Sequence, residues 1–213
     1  MHTMQALFVH GMGRSPLSGW PMLRQLRAAG WQTAHFGYMA SLQSFDAIAQ
    51  RLSRRIASTA AQGAYVLIGH SLGGVLIRAA LARLPEGTAR PKHIFLLASP
   101  IHPARLAQKL GNNPVFRLLT QDCGQLLGSA QRMGSIPMPD ANAPVTAIVG
   151  TKGFSGRFSP FGVEVNDGIV SLSEVSSCLA TEQIRLHLSH TFLPASAEVA
   201  RIILRCTEAK QNA

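Results

Sequence analysis

Apolar positions along this chain fall into two alternating patterns. Short and nearly continuous runs, ALFVHG (6–11), AYVLIG (64–69), KHIFLLASP (92–100) and PVTAIVGTKG (144–153), read as strands buried on both faces. QTAHFGY (32–38) and QIRLHLSH (183–190) are two further strand candidates. Between them lie stretches with helical spacing. One spans 16–30 and ends at Gly30; another spans 44–63 behind a Ser44 cap, with Phe45, Ile48, Ala49, Leu52 and Ile56 on one face. Helices are also predicted from Leu72 to about Leu84 and over 194–208.

Strands that alternate with helices predict a single α/β domain over 1–213, with about six mainly parallel strands and helices on both faces. Segment 101–143 interrupts the alternation. It is expected to hold one or two helices and then a Pro-rich loop. Inserted between two strands, it is either a small cap or lid over the strand ends or ordinary packed structure.

Composition narrows the class. The chain has 213 residues, 46% of them hydrophobic and 14% charged, enough to bury a core and unlike a disordered segment. No apolar stretch reaches the roughly 18 residues of a membrane span. The start, MHTMQALFVHGMGRS, lacks a basic n-region, an apolar h-region and a cleavage site, which leads to the expectation of a cytoplasmic protein. Cys123, Cys178 and Cys206 are widely spaced with no C-x-x-C pair, and read as buried reduced thiols rather than a disulfide or zinc framework.

The net charge is +10. Its basic residues are scattered, in groups no larger than Arg51, Arg54 and Arg55, with no basic run interleaved with aromatics, so no nucleic-acid site is read from them. The charge, with apolar surface from 101–135, leaves peripheral contact with an anionic membrane open.

The chemistry starts at GHSLGG, where Ser71 stands between Gly69 and Gly73 as a strand gives way to a helix. A serine forced into a tight strand–turn–helix corner projects its hydroxyl, and small residues two positions away on each side avoid a clash between strand and helix. The bland alternative is a serine that only caps the helix. An activated serine needs a base, and the base needs an orienting acid. On such a sheet the chain order is serine, acid, histidine.

His190 ends the last predicted strand and fits as base. His187 reads as a surface or core residue, His70 is expected to point elsewhere, and His35, His93 and His102 fit no required order. Asp167, in an Asn-Asp-Gly turn after the fifth strand, is the candidate acid, with Asp140, Glu164 and Glu174 as weaker ones. HGMG after the first strand lets the Met12 amide turn toward the serine, and the Leu72 amide begins the next helix. Together they are candidate oxyanion donors. Neither G-x-G-x-x-G nor G-x-x-x-x-G-K-[ST] occurs, which argues against a nucleotide loop.

With these motifs the sequence resembles the α/β-hydrolase superfamily, and within it bacterial lipases and esterases. HGMG is similar to their oxyanion loop, GHSLGG to their nucleophile elbow, and NDGIVS to the acid-bearing segment of Pseudomonas- and Burkholderia-type lipases. The resemblance implies Ser71 as nucleophile, Asp167 as acid and His190 as base, with Met12 and Leu72 as amide donors. It departs from those lipases where Thr191 and Phe192 follow His190 in place of a calcium-binding Asp, and no metal or cofactor is carried over.

The implied activity is hydrolysis of carboxylic esters of small molecules or lipids through an acyl-enzyme. Thioesterase or acyltransferase action with the same residues, and a non-catalytic binding protein on the same fold, are the alternatives.

Overall fold

A computed structural model of the chain describes residues 3–139, 143–176 and 182–208. Strands β1 (Gln5–Val9), β2 (Gln32–Phe36), β3 (Tyr65–His70), β4 (His93–Leu97), β5 (Val145–Gly150) and β6 (Glu182–Leu186) form one sheet in the order β2-β1-β3-β4-β5-β6. Every neighbouring pair is parallel, so the sheet is more uniform than the sequence pattern required.

Side chains explain the continuous apolar runs. Leu7, Val9, Leu67, Ile94 and Leu96 pack on one face with α2 (Phe45–Ala60) and α3 (Leu72–Leu81). Ala6, Phe8, Val66, Ile68, Phe95 and Leu97 pack on the other with α1 (Trp20–Ala28) and α8 (Ala197–Glu208). Successive residues point to opposite faces and both faces are covered, so the inner strands are apolar almost throughout, with Gln5, His70, His93 and Thr146 as buried polar exceptions. The edge strands β2 and β6 are half exposed, which is why their sequences are more polar.

Helix boundaries follow local chemistry. The Ser44 hydroxyl accepts the Ala47 N–H at 3.2 Å and starts α2 as predicted. The predicted helix over 16–30 divides into a 3₁₀ turn at Pro16–Gly19 and then α1, where Pro21 sits in the first turn and needs no amide partner. The predicted 194–208 helix likewise resolves into a 3₁₀ turn at His190–Ala195 and α8.

Between β4 and β5 there are three helices rather than one or two: α4 (Arg105–Leu110), α5 (Pro114–Gly128) and α6 (Ala130–Gly134). Asn113 caps α5 by accepting the amides of Val115 and Phe116. Gln121 breaks α5 with φ 44°, a left-handed value that costs a non-glycine residue about 1–3 kcal/mol. Before the kink Val115, Leu118 and Leu119 are exposed; after it Cys123, Leu126 and Leu127 are buried.

Arg78 of the wholly buried α3 fastens this segment at both ends. Its guanidinium donates to the carbonyls of Ile136 at 2.6 Å and Pro137 at 3.2 Å, and reaches Pro100 at 3.5 Å. Burial pulls its pKa down to about 10. A short helix, α7 (Leu172–Val175), was not predicted. Its buried Glu174 accepts the amides of Arg105 and Ser171.

Cys123 is buried and unpaired as predicted, Cys206 is only half-buried, and Cys178 lies outside the described residues. No helix among the described residues is long and apolar enough to cross a membrane.

The topology fixes where a site can form. From β1 the chain moves outward to β2, whereas from β3 it moves the other way to β4, β5 and β6. Connections leaving the C-terminal ends of β1 and β3 therefore part company and open a crevice between them. Gly11–Gly13 and Ser71 stand on those two connections.

Candidate active site

Ser71 links β3 to α3 at φ 52° and ψ −123°, outside the conformations that a serine ordinarily adopts. Backbone packing enforces this angle. A Cβ on Gly69 would run into the backbone of Gly74, and one on Gly73 would run into the carbonyl oxygens of Val9 and His10. The Ser71 N–H donates to the Leu97 carbonyl at 2.9 Å, and the Ser71 carbonyl accepts from Ser99 Oγ at 2.8 Å. The helix-cap alternative has no bond behind it, because the Ser71 side chain makes no cap hydrogen bond.

Asp167 and His190 come together on the connections after β5 and β6. His190 Nδ1 lies 2.7 Å from Asp167 Oδ2, and the His190 N–H donates to the Asp167 carbonyl at 3.0 Å. Both side chains are buried. The second carboxylate oxygen, Oδ1, accepts the amides of Ile169 at 3.0 Å and Val170 at 2.9 Å. A carboxylate only accepts, so this bond places the proton on Nδ1 and leaves Nε2 as the basic nitrogen. His190 opens the 3₁₀ turn after β6 rather than ending the strand, a displacement from the predicted position.

Ser71 and His190 line one cavity of about 280 Å³ with Gly11 and Met12. Ala104, Leu106, Ala107, Phe116 and Leu127 from the β4–β5 segment and Ile169 and Val170 make up its apolar wall. No hydrogen bond joins Ser71 to His190 among the described residues. Such contacts are often long in an empty site and tighten around the reacting group. Leu72 is the first residue of α3, so its N–H has no acceptor within the helix.

The loop after β1 is braced by His10. Its Nδ1–H donates to the Gly11 carbonyl at 2.8 Å, its ring stacks on Tyr38 at 4.2 Å, and the Tyr38 hydroxyl donates to the His10 carbonyl at 2.8 Å.

The other acids are otherwise engaged. Glu164 pairs with Arg105 at 2.7 Å and accepts the Ser173 amide, and Glu174 supports the chain at Arg105 and Ser171. Asp140 lies outside the described residues. Of the remaining histidines, His35, His102 and His187 are exposed, while His93 stacks on Phe95 and bonds Thr146.

His70 departs from its prediction. Instead of pointing elsewhere it lines the cavity and donates from Nε2 to the His190 carbonyl at 3.0 Å, with the two rings 4.7 Å apart. Burial, helped by the neighbouring His190, holds its pKa well below the ordinary 6.5, so the ring is neutral. Asn166 was also missed as a support. Its side chain donates to the Phe154 and Glu164 carbonyls and accepts the Gly168 N–H, closing the loop that carries Asp167.

The model of the thioesterase domain matches residues 21–136, more than half of the chain, and includes Ser71 and helices α4 to α6. The chain belongs to the thioesterase-domain family. Relatives of this thioesterase-domain protein include a probable esterase of rice, 31% identical over 101 residues. That alignment spans 43% of this chain and 38% of the relative, so the chain matches less than half of the relative's length.

Solved structures extend the likeness to the whole fold. The mature form of a Bacillus licheniformis lipase superposes with a TM-score of 0.71 at 18% identity, covering 97% of this chain and 92% of that one. A metagenomic carboxyl esterase gives 0.72 at 14% identity over 100% and 77%. The RedJ thioesterase of Streptomyces coelicolor gives 0.61 at 16% identity over 96% and 85%. The fold is that of the α/β hydrolases, as the sequence resemblance implied.

Proposed function

We propose that this thioesterase-domain protein hydrolyses acyl esters through Ser71, His190 and Asp167. The observation that carries the reading is the buried His190–Asp167 bond of 2.7 Å facing the same cavity as a serine held at φ 52°. Nε2 of His190 takes the Ser71 proton as the hydroxyl oxygen attacks the acyl carbon, and Asp167 stabilises the imidazolium that results. The N–H groups of Met12 and Leu72 receive the oxyanion, at about 3–4 kcal/mol of transition-state stabilisation per donor. His190 returns its proton to the leaving group, and water then frees the acid from the acyl-enzyme by the same steps in reverse.

Chain 1–213 acts as one catalytic domain in this proposal, and segment 101–143 is its cap. Ala104, Leu106, Ala107 and Phe116 form the acyl-binding wall. At about 280 Å³ the cavity sits at the small end of ligand pockets, which favours short to medium acyl chains.

A thioester is the second reading, favoured by the family match. The two differ in leaving group and not in machinery. Turnover of an oxygen ester and a thioester with the same acyl chain separates them, and Ser71→Ala should abolish whichever is cleaved. A variant that keeps the wild-type rate on both would end the proposal.

A further inference from the structure

Among the described residues, the exposed large hydrophobic side chains lie on the stretches of the connections next to the C-terminal ends of the strands: before or at the start of α1, before α2, in the first half of α5, between β5 and α7, and in the turn after β6. They occur after β1, β2, β4, β5 and β6, and the most exposed are Phe158 at 87% and Val163 at 92% on the β5–β6 connection. The opposite rim carries none of these side chains. A single apolar residue at a surface needs no explanation, but their restriction to one end of the molecule does.

The charges on the same connections are one-sided. Arg14, Lys109, Arg117, Lys152 and Arg157 form no ion pair among the described residues. Of the described carboxylates on these connections that are not buried, Glu164, Asp122 and Asp46 are already paired with Arg105, Arg132 and Arg83, and Glu198 and Glu208 lie farther along the chain on α8. Arg14 also lines the cavity beside Ser71.

We propose that this rim docks on an anionic lipid surface, with the mouth of the Ser71 cavity toward the membrane. Apolar side chains amid unneutralised cations are the combination that holds a protein at a charged bilayer surface. A second copy of the chain is a poor occupant, because a two-fold contact through this rim would set its cations against each other. Docking is what makes acyl lipids the substrates of the hydrolase proposed above, and to that extent it rests on that proposal. The binding itself is measured without catalysis.

The two tryptophans report orientation: Trp20 is on this rim and Trp31 is on the α1–β2 connection at the opposite one. The full chain is mixed with phosphatidylcholine vesicles, with or without phosphatidylglycerol and with brominated acyl chains, in low and high salt. Binding is expected only with the anionic lipid, weakening as salt rises. Trp20 should be quenched in Trp31→Phe, while Trp31 stays bright in Trp20→Phe.

Arg157→Glu should weaken binding by about tenfold, and Lys92→Glu, an equal change of net charge at the other rim, much less. Phe158→Asp with Val163→Asp should weaken it by tenfold or more and leave turnover of a soluble short-chain ester unchanged. No binding at low salt, equal effects of Arg157→Glu and Lys92→Glu, or quenching of Trp31 would each overturn the proposal. A Ser71→Ala protein that binds vesicles as wild type, beside a wild type that cleaves no ester, would sink the hydrolase proposal and spare the docking surface.

Discussion

Around Ser71, backbone presses on backbone: Gly69 meets Gly74, Gly73 meets Val9 and His10, and every residue of α3 is buried. Around Asp167 and His190 the chain is irregular; Gly150 and Gly153 pack close against it, but its shape comes mainly from hydrogen bonds. Asn166 closes the loop, the amides of Ile169 and Val170 orient the carboxylate, and the His190 amide holds the Asp167 carbonyl. A few residues away, Phe158 and Val163 stand almost fully in solvent. One half of the site is thus set by close packing and cannot yield without loss of the fold. The other is set by directional polar contacts and can lose function while the fold survives.

The largest effect expected from this contrast is on the polar side. Asp167→Asn keeps the shape but offers His190 the wrong hydrogen-bond partner, and kcat should fall about 10⁴-fold, ~5.5 kcal/mol, with little change in thermal midpoint. On the packed side the order reverses. Gly73→Ala forces a methyl group against the Val9 and His10 carbonyls, and urea unfolding should show a loss of about 3 kcal/mol. Equal stability losses for the two variants would break the contrast.

Asn166→Ala sharpens it. Loss of the loop's cross-link should lower kcat by one to two orders of magnitude with about 1–2 kcal/mol of stability, an effect carried by kcat more than by KM.

His70 joins the two halves, since it adjoins Ser71 and bonds the His190 carbonyl. It is buried as a neutral ring with a depressed pKa, and burial lowers that of His10 as well. The folded state therefore binds fewer protons than the unfolded chain once the pH drops below about 6.5. Stability from this source is whole above that pH and declines as acid is added, by up to about 1.4 kcal/mol per pH unit for each ring. His70→Gln keeps a donor for the His190 carbonyl and removes one titrating group. The slope of urea stability against pH between 6.5 and 5 should become shallower, with activity at pH 7.5 altered least of all the variants.

The packed half was the more legible in the sequence. An apolar run, a G-x-S-x-G turn and an amphipathic run are local signals, and the doubly covered strands followed from their unbroken hydrophobicity. Asp167 and His190 could be picked out by chain order alone, as turn and strand-end residues. Their proximity, and the position of His190 beyond β6, depend on how the β5–β6 connection folds back. The third helix between β4 and β5 and α7 are short, and α7 is held by long-range contacts from Glu174 to Arg105 and to Ile101. His70 was visible inside GHSLGG, but its partner lies 120 residues away, and no local pattern encodes that bond.

Covalent labelling of Ser71 as the proposed nucleophile tests the central claim most directly. The intact protein is treated with a fluorophosphonate and the modified peptide is mapped by mass spectrometry. One adduct on Ser71, absent in Ser71→Ala and strongly slowed in His190→Ala, is the predicted result. No adduct, or one on another serine that persists in Ser71→Ala, would contradict it.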